Sequence, residues 1–113
     1  MRTIDGIWAA QIYGVYGWES EGVLFLENGR VLGGGNNHYS VGSYTQSEDQ
    51  LSMVLSVEYH GHVRTRFGES REKISVKFNG KQDGMEITGT LERPDRAAMT
   101  IACRLSKCAE LPD

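Results

Sequence analysis

One short stretch near the start of the chain decides the fold: Glu21-Gly22-Val23-Leu24-Phe25-Leu26-Glu27-Asn28-Gly29-Arg30-Val31-Leu32-Gly33. An apolar run is followed by an Asn-Gly pair, after which the extended pattern resumes. A type I′ turn needs a positive φ at both central residues, and asparagine and glycine adopt this conformation most readily. The stretch therefore predicts a β-hairpin with its turn at Asn28-Gly29.

Apolar and polar residues alternate along the rest of the chain as well. The alternation is clearest over residues 50–59, where one face carries Leu51, Met53, Leu55, Val57 and Tyr59. A slip of one residue would turn this whole face to solvent, so the strand register is well specified. No window of a dozen residues has a helical period, and we therefore expect an all-β chain.

Turn signals separate about eight such strands at intervals of roughly 8–12 residues. This spacing is typical of a small antiparallel up-and-down β-barrel, and the alternative is a two-sheet β-sandwich. We favour the barrel, because no predicted helix is long enough to cover a sheet edge and closure removes the edges. Residues 1–105 are assigned to a single barrel domain and residues 106–113 to a frayed C-terminal tail.

Composition restricts the classes of function. The chain of 113 residues is 39% hydrophobic and 24% charged, with a net charge of -3. An acidic balance argues against direct nucleic-acid binding, which normally uses a basic surface. No run approaches the length of about 18 apolar residues that spans a membrane. The N-terminus also lacks an apolar leader with a cleavage site, so we expect a cytoplasmic protein.

The sequence contains no recognisable catalytic or metal-binding constellation. There is no Gly-x-Ser-x-Gly elbow. Cys103 continues an apolar alternation and is predicted to be a buried thiol, whereas Cys108 falls in the polar tail. His60 and His62 form a pair, but zinc requires three or four ligands. We therefore predict no enzymatic activity, no cofactor, no metal and two free thiols.

Two segments are candidate interaction sites. Tyr13, Tyr16 and Trp18 lie in a glycine-rich loop, where they either pack over the barrel mouth, anchor an interface or gate a ligand cavity. The segment that contains Arg64, Arg66 and Phe67 is basic within an acidic chain. It is either a plain polar connection or a contact for an acidic partner or a nucleic acid.

Several motifs occur in an order that resembles the GrlR-like family, named for a negative regulator of type III secretion genes in enteric bacteria. The chain opens with Asp5-Gly6-Ile7-Trp8, and the Gly-Val-Leu and Asn-Gly motifs of the first hairpin follow. The order continues with Gly33-Gly34-Gly35 and Tyr39-Ser40-Val41-Gly42-Ser43-Tyr44. It ends at the acidic turn Ser47-Glu48-Asp49. The resemblance covers about residues 5–58.

The resemblance implies a lipocalin-like β-barrel, often dimeric, that represses transcription by holding a transcriptional activator. In that family an acidic turn takes part in partner binding, and Glu48 and Asp49 are the acidic residues that match it here. The predicted function is thus a non-catalytic, homodimeric negative regulator that acts by protein–protein contact. The alternative is a carrier or sensor of a small apolar ligand, with a barrel interior lined by residues such as Leu24, Met53, Leu55, Val76, Phe78, Ile87 and Ile101.

Overall fold

The computed structural model describes residues 4–35, 38–59, 74–94 and 96–112. This part of the chain forms eight β-strands and contains no helix. They are β1 (Gly6–Gly14), β2 (Gly17–Glu27), β3 (Arg30–Gly34), β4 (His38–Ser47), β5 (Gln50–Tyr59), β6 (Ile74–Asp83), β7 (Glu86–Arg93) and β8 (Arg96–Ala109).

The strands form one closed barrel in which each strand pairs antiparallel with the next and β8 pairs with β1. The predicted up-and-down barrel is therefore confirmed, and the two-sheet sandwich is not formed. Because the strands alternate in direction, successive turns lie at opposite ends of the barrel. We call the end with Val15-Tyr16 the Tyr16 end, and the end with Ile4 and the turns 28–29, 48–49 and 84–85 the Ile4 end.

The hairpin predicted at the start of the chain is confirmed in detail. Asn28 has a φ of 51° and Gly29 a φ of 82°, as a type I′ turn requires. Glu27 pairs with Arg30 directly beside the turn. Two-residue turns of this kind match the right-handed twist of the strands that they join, so β2 and β3 continue as neighbours without splaying.

The core fills the barrel from inside. At the Ile4 end the indole Nε1 of Trp8 donates a hydrogen bond of 2.9 Å to the backbone oxygen of Ile4, and both residues are buried. Alternate residues of β1, β2, β3, β5, β6, β7 and β8 supply the other buried apolar side chains: Ile12, Leu24, Leu26, Val31, Leu51, Met53, Leu55, Val57, Ile74, Val76, Phe78, Ile87, Cys103 and Leu105. Ile101 is partly buried against this core, so the interior set predicted from alternation is confirmed.

Inward-facing glycines permit the tight curvature of the barrel. A Cβ on Gly42 would lie 2.0 Å from the backbone oxygen of Val54, and one on Gly89 would lie 2.0 Å from that of Asn79. Each of these glycines therefore allows a neighbouring strand to approach more closely than any larger residue would. Glycine therefore has a structural role within the strands as well as in turns such as Asn28-Gly29.

Two predicted boundaries are wrong. The glycine-rich loop expected to contain Tyr13, Tyr16 and Trp18 is a two-residue turn at Val15-Tyr16, and β2 begins at Gly17. The tail expected from residue 106 is also shorter, because β8 continues to Ala109. Ser106 and Lys107 remain paired with β1, and Lys107 N donates a hydrogen bond of 2.9 Å to Met85 O.

Candidate functional site

A cavity of about 90 Å³ lies inside the barrel, in the half toward the Tyr16 end. Its inner lining is apolar and includes Met53, Phe78 and Leu105. The cavity exists because several inward positions in this half of the barrel carry small residues, such as Ala10 of β1. In the half toward Ile4, the inward position of the same strand carries the large Trp8. This arrangement can accommodate a small apolar group.

The edge of the cavity is polar. Glu21, His38 and Ser40 all belong to its lining. His38 and Ser40 alternate along β4, so both face inward. The Ser40 hydroxyl group belongs to a residue that is only 6% exposed. These side chains bring oxygen and nitrogen atoms to the edge of a space that is otherwise apolar.

A β-bulge places Glu21 at this edge. The pairing of β1 with β2 shifts between Ala10 and Gln11, so that Ala10 lies opposite Gly22 and Gln11 lies opposite Ser20. Glu21 is the extra residue. A bulge changes the direction of a side chain relative to regular alternation, and it aims this carboxylate into the cavity lining.

The thiol of Cys103 is the reactive group of the interior, and its surroundings make it inert. Burial, together with the nearby Glu21 carboxylate, raises the pKa of Cys103 to about 12. A thiol with this pKa is protonated at neutral pH, and the protonated form is a poor nucleophile and a poor metal ligand. Cys103 therefore contributes apolar surface to the cavity, as the sequence predicted for a buried thiol.

The aromatic residues at the Tyr16 end do not pack over the barrel mouth. Tyr13 and Trp18 pair across the hairpin on the outer face, with ring centroids 5.4 Å apart. The guanidinium of Arg104 lies 4.3 Å from the Trp18 ring centroid, and its Nε donates a hydrogen bond of 2.7 Å to Gln11 Oε1. Tyr16 is 92% exposed at the turn. Of the roles that the sequence left open for these aromatic residues, the exposure of Tyr16 favours an interface contact.

The acidic turn lies at the opposite end of the barrel from these aromatic residues. Glu48 and Asp49 are exposed, and the nearest oxygen of Asp49 is 3.9 Å from Lys81 Nζ. The backbone oxygen of Asp49 accepts a hydrogen bond of 2.7 Å from Gln82 N, which holds the turn against β6. The structure therefore does not bring the two predicted interaction sites together.

The third predicted site cannot be placed. Arg64, Arg66 and Phe67, like the pair His60 and His62, lie outside the described residues. Among residues 4–35, 38–59, 74–94 and 96–112, no three His, Cys, Asp or Glu side chains are grouped so as to hold a metal ion.

An outer apolar face is a feature that sequence reasoning missed. We use this name for six exposed residues of β2 to β5, each between 37% and 50% exposed: Val23, Phe25, Leu32, Tyr39, Val41 and Val54. Leu32 lies directly opposite Phe25 on one side and Val41 on the other, so these three form a continuous row. The signal was present in the sequence, since the run Gly22–Leu26 is apolar at consecutive positions and not only at alternate ones.

The fold and the cavity define the chain as a small, closed, antiparallel β-barrel with an apolar cavity that has a polar edge. No protein-family model matches the sequence, and the comparison with curated proteins finds no match. The described part of the chain contains no helix with the length and apolarity needed to cross a membrane.

Proposed function

We propose that this chain is a non-catalytic binding protein that regulates transcription by contact with another protein. Its resemblance to GrlR-like negative regulators of type III secretion implies this function, with a transcriptional activator as the partner. In this proposal the protein is a cytoplasmic homodimer, and the acidic turn Glu48-Asp49 contacts the activator.

The outer apolar face is the observation that carries the proposal. Scattered apolar residues are normal on a protein surface, whereas a contiguous patch is typical of an interaction site. Phe25, Leu32 and Val41 occupy adjacent strands at one level of the barrel. Burial of this row against a second protein would remove a large apolar surface from water, and in our proposal the second protein is another copy of the chain.

A bacterial reporter strain tests the regulatory function. The strain carries a type III secretion promoter, driven by its activator and fused to a reporter gene. Expression of the chain should lower the reporter signal, and it should not lower that of a promoter that the activator does not serve. An unchanged signal, with the chain present at a level comparable to the activator, would contradict the proposed function.

A native mass spectrum tests the role of the outer apolar face. The wild-type chain should be a dimer. Leu32→Lys places a charge in the centre of the apolar row and should give a monomer, while Met85→Lys provides a matched control because Met85 is exposed outside that face. A wild-type monomer, or a dimer that survives Leu32→Lys, would count against this interface.

A second candidate function is the binding of a small ligand, and the cavity favours it. Its lining includes Leu24, Met53, Leu55, Val76 and Phe78, five of the positions predicted for an apolar ligand site. A chain purified from cells that carries extra, extractable mass in a native spectrum would support this function.

A further inference from the structure

The outer apolar face carries charges at two of its edges. The strand pairing connects the outward residues of β2 to β5 into three rows. The middle row is Phe25, Leu32, Val41 and Ser56, the row toward the Tyr16 end is Val23, Gly34, Tyr39 and Glu58, and the row toward the Ile4 end is Glu27, Arg30, Ser43 and Val54. Among the residues of these rows, Arg30 is the positive one, and Glu27 and Glu58 are the negative ones.

The positions of Arg30 and Glu58 are related through Val41. Arg30 lies on β3, opposite Ser43 of β4. Glu58 lies on β5, opposite Tyr39 of β4. Val41 lies midway between Tyr39 and Ser43 on the strand that separates the two charges. From the usual strand spacing and rise, each charged residue is about 8 Å from Val41, and the two lie in opposite directions.

This arrangement of charge matches a second copy of the same face. In a two-fold dimer a patch meets itself, so each contact between two different positions occurs twice. An axis that lies in the interface, passes Val41 and runs perpendicular to the line from Arg30 to Glu58 exchanges these two positions. Arg30 of each copy then meets Glu58 of the other copy, on either side of an apolar contact at Val41.

Both side chains can make this second contact. Nη2 of Arg30 lies 3.2 Å from Oε1 of Glu27, and the guanidinium has further N–H donors. Oε1 of Glu58 accepts a hydrogen bond of 2.8 Å from the Tyr39 hydroxyl, and a carboxylate accepts several hydrogen bonds. Glu27 lies one strand further from Val41 than Arg30 does, so in this arrangement Glu58 of the second copy faces Arg30 and not Glu27.

We propose that the outer apolar face packs against the same face of a second copy about this diagonal axis at Val41, with Arg30 of each copy paired to Glu58 of the other. The inference rests on the homodimer of the proposed function and adds the orientation of the two barrels. The apolar row supplies affinity, since removal of apolar surface from water has no directional preference. The two charge pairs select the orientation, because a rotated or shifted arrangement would separate the opposite charges.

A mixing experiment on the full chain tests the inference. Arg30→Glu alone and Glu58→Arg alone each place two like-charged pairs in a homodimer, so each homodimer should have a Kd at least about ten-fold higher than that of the wild type. In a dimer of one variant with the other, both pairs are again opposite in charge. Equimolar mixing should therefore give mainly the mixed dimer, and a native mass spectrum resolves it because the three dimers differ in mass.

Further variants separate this pairing from effects within one chain. The double variant Arg30→Glu with Glu58→Arg restores opposite charges and should dimerise about as tightly as the wild type. Lys81→Glu and Glu86→Arg are the matched controls, since both residues are exposed on β6 and β7, outside the face. Their mixture should contain the three dimers in the statistical ratio. Glu58→Lys takes the place of Glu58→Arg if the arginine variant does not fold.

The outcomes separate the arrangement from the function on which it rests. A statistical mixture of Arg30→Glu with Glu58→Arg overturns the arrangement, and so do variant homodimers that are as tight as the wild type. If Leu32→Lys gives a monomer in either case, the outer apolar face stands as the interface of the proposed homodimer. A monomeric wild-type chain overturns both the inference and the homodimer, whereas repression in the reporter strain is measured independently.

Discussion

The hydroxyl group of Tyr44 donates a hydrogen bond of 2.6 Å to Oδ1 of Asp5, which lies 39 residues earlier in the chain. The same carboxylate lies 3.3 Å from the backbone nitrogen of Asn28, and Tyr44 N donates a hydrogen bond of 2.9 Å to Gly29 O. One carboxylate thus joins the N-terminal segment, the first hairpin turn and β4. All four residues belong to motifs that carry the family resemblance, so those motifs specify the construction of the Ile4 end of the barrel.

Tyr44→Phe should lower the free energy of unfolding by about 1–3 kcal/mol, because it removes a partly buried hydrogen bond to a carboxylate. Asp5→Asn should have an effect of similar size. Denaturation in urea measures both. Tyr39→Phe is the control, since the Tyr39 hydroxyl bonds Glu58 on the exposed outer surface, and its effect should stay below about 0.5 kcal/mol. Equal effects of the two tyrosine variants would mean that the Asp5 network contributes little.

The same network makes a prediction about alkaline pH. Burial raises the pKa of Tyr44, and the hydrogen bond to Asp5 raises it further, although a hydrogen bond from the backbone of Gly29 to the phenol oxygen lowers it. Above pH 10 the unfolded chain therefore loses the Tyr44 proton before the folded chain does, and the stability contributed by this group falls as the pH rises. Denaturation at a series of pH values should show a steeper alkaline loss in the wild type than in Tyr44→Phe.

Gly42→Ala should destabilise the barrel by about 2 kcal/mol or more, because the added Cβ would overlap the backbone of the next strand. That Cβ would lie 2.0 Å from Val54 O and 3.0 Å from Leu55 Cα, and backbone cannot move aside as the end of a flexible side chain can. Ser43→Ala, at the exposed neighbouring position, is the control and should have little effect. Urea midpoints that coincide for the two variants would show that β4 and β5 separate without cost.

Most of the fold could be predicted because its signals are local. The Asn28-Gly29 turn and the alternation over residues 50–59 identify a hairpin and a strand without reference to the rest of the chain. The start of β2 could not be found in this way. The bulge at Glu21 shifts the alternation by one residue, so Trp18 and Ser20 fall out of phase with Leu24 and the pattern reads as a loop.

The candidate sites could be predicted less well from the sequence, because they depend on contacts between residues that are far apart in the chain. Gln11 and Arg104 are 93 residues apart, and their hydrogen bond helps to fix the position of Trp18 on the outer face. The approach of Glu21 to Cys103 depends on barrel closure between β8 and β1. Only the closed structure shows that a carboxylate faces the interior.

Cys103 should react more slowly with thiol reagents than Cys108. Its pKa of about 12 leaves almost no thiolate at neutral pH, and the side chain is buried, whereas Cys108 is exposed. A thiol reagent at pH 7.5 should modify one cysteine rapidly and the second only after unfolding. Mass spectrometry after proteolysis identifies the site, and Cys108→Ser should abolish the fast reaction. Rapid modification of Cys103 in the folded chain would show that the barrel opens readily.

The raised pKa of Cys103 also affects stability at high pH. Between pH 9, where the unfolded thiol ionises, and the folded value of about 12, the folded chain keeps a proton that the unfolded chain has lost. Stability should therefore fall with rising pH over this interval, with a contribution of up to about 1.4 kcal/mol per pH unit. Cys103→Ala lacks this contribution, so its stability should depend less steeply on pH than that of the wild type.

The acidic turn allows the proposed partner-binding role of Glu48 to be tested separately from its role in the fold. Glu48 has a φ of 58°, a left-handed conformation that costs most residues roughly 1 kcal/mol and that asparagine tolerates better. Glu48→Asn should therefore raise the unfolding free energy by about 0.5–1 kcal/mol while it removes a negative charge. If the carboxylate contacts the activator, this variant binds the activator less tightly although it is more stable.

Pull-down of the purified activator by the immobilised chain measures this effect. The double variant Glu48→Gln with Asp49→Asn should retain still less activator, because both charges of the turn are lost. Asp83→Asn is the matched control, since Asp83 is exposed at the neighbouring turn of the same barrel end. If the double variant captures as much activator as the wild type, the acidic turn is not part of the interface. An equal loss of capture in Asp83→Asn would indicate a general effect of charge. A loss confined to the Glu48 and Asp49 variants, with stability raised in Glu48→Asn, assigns that loss to contact with the partner because the fold is not weakened.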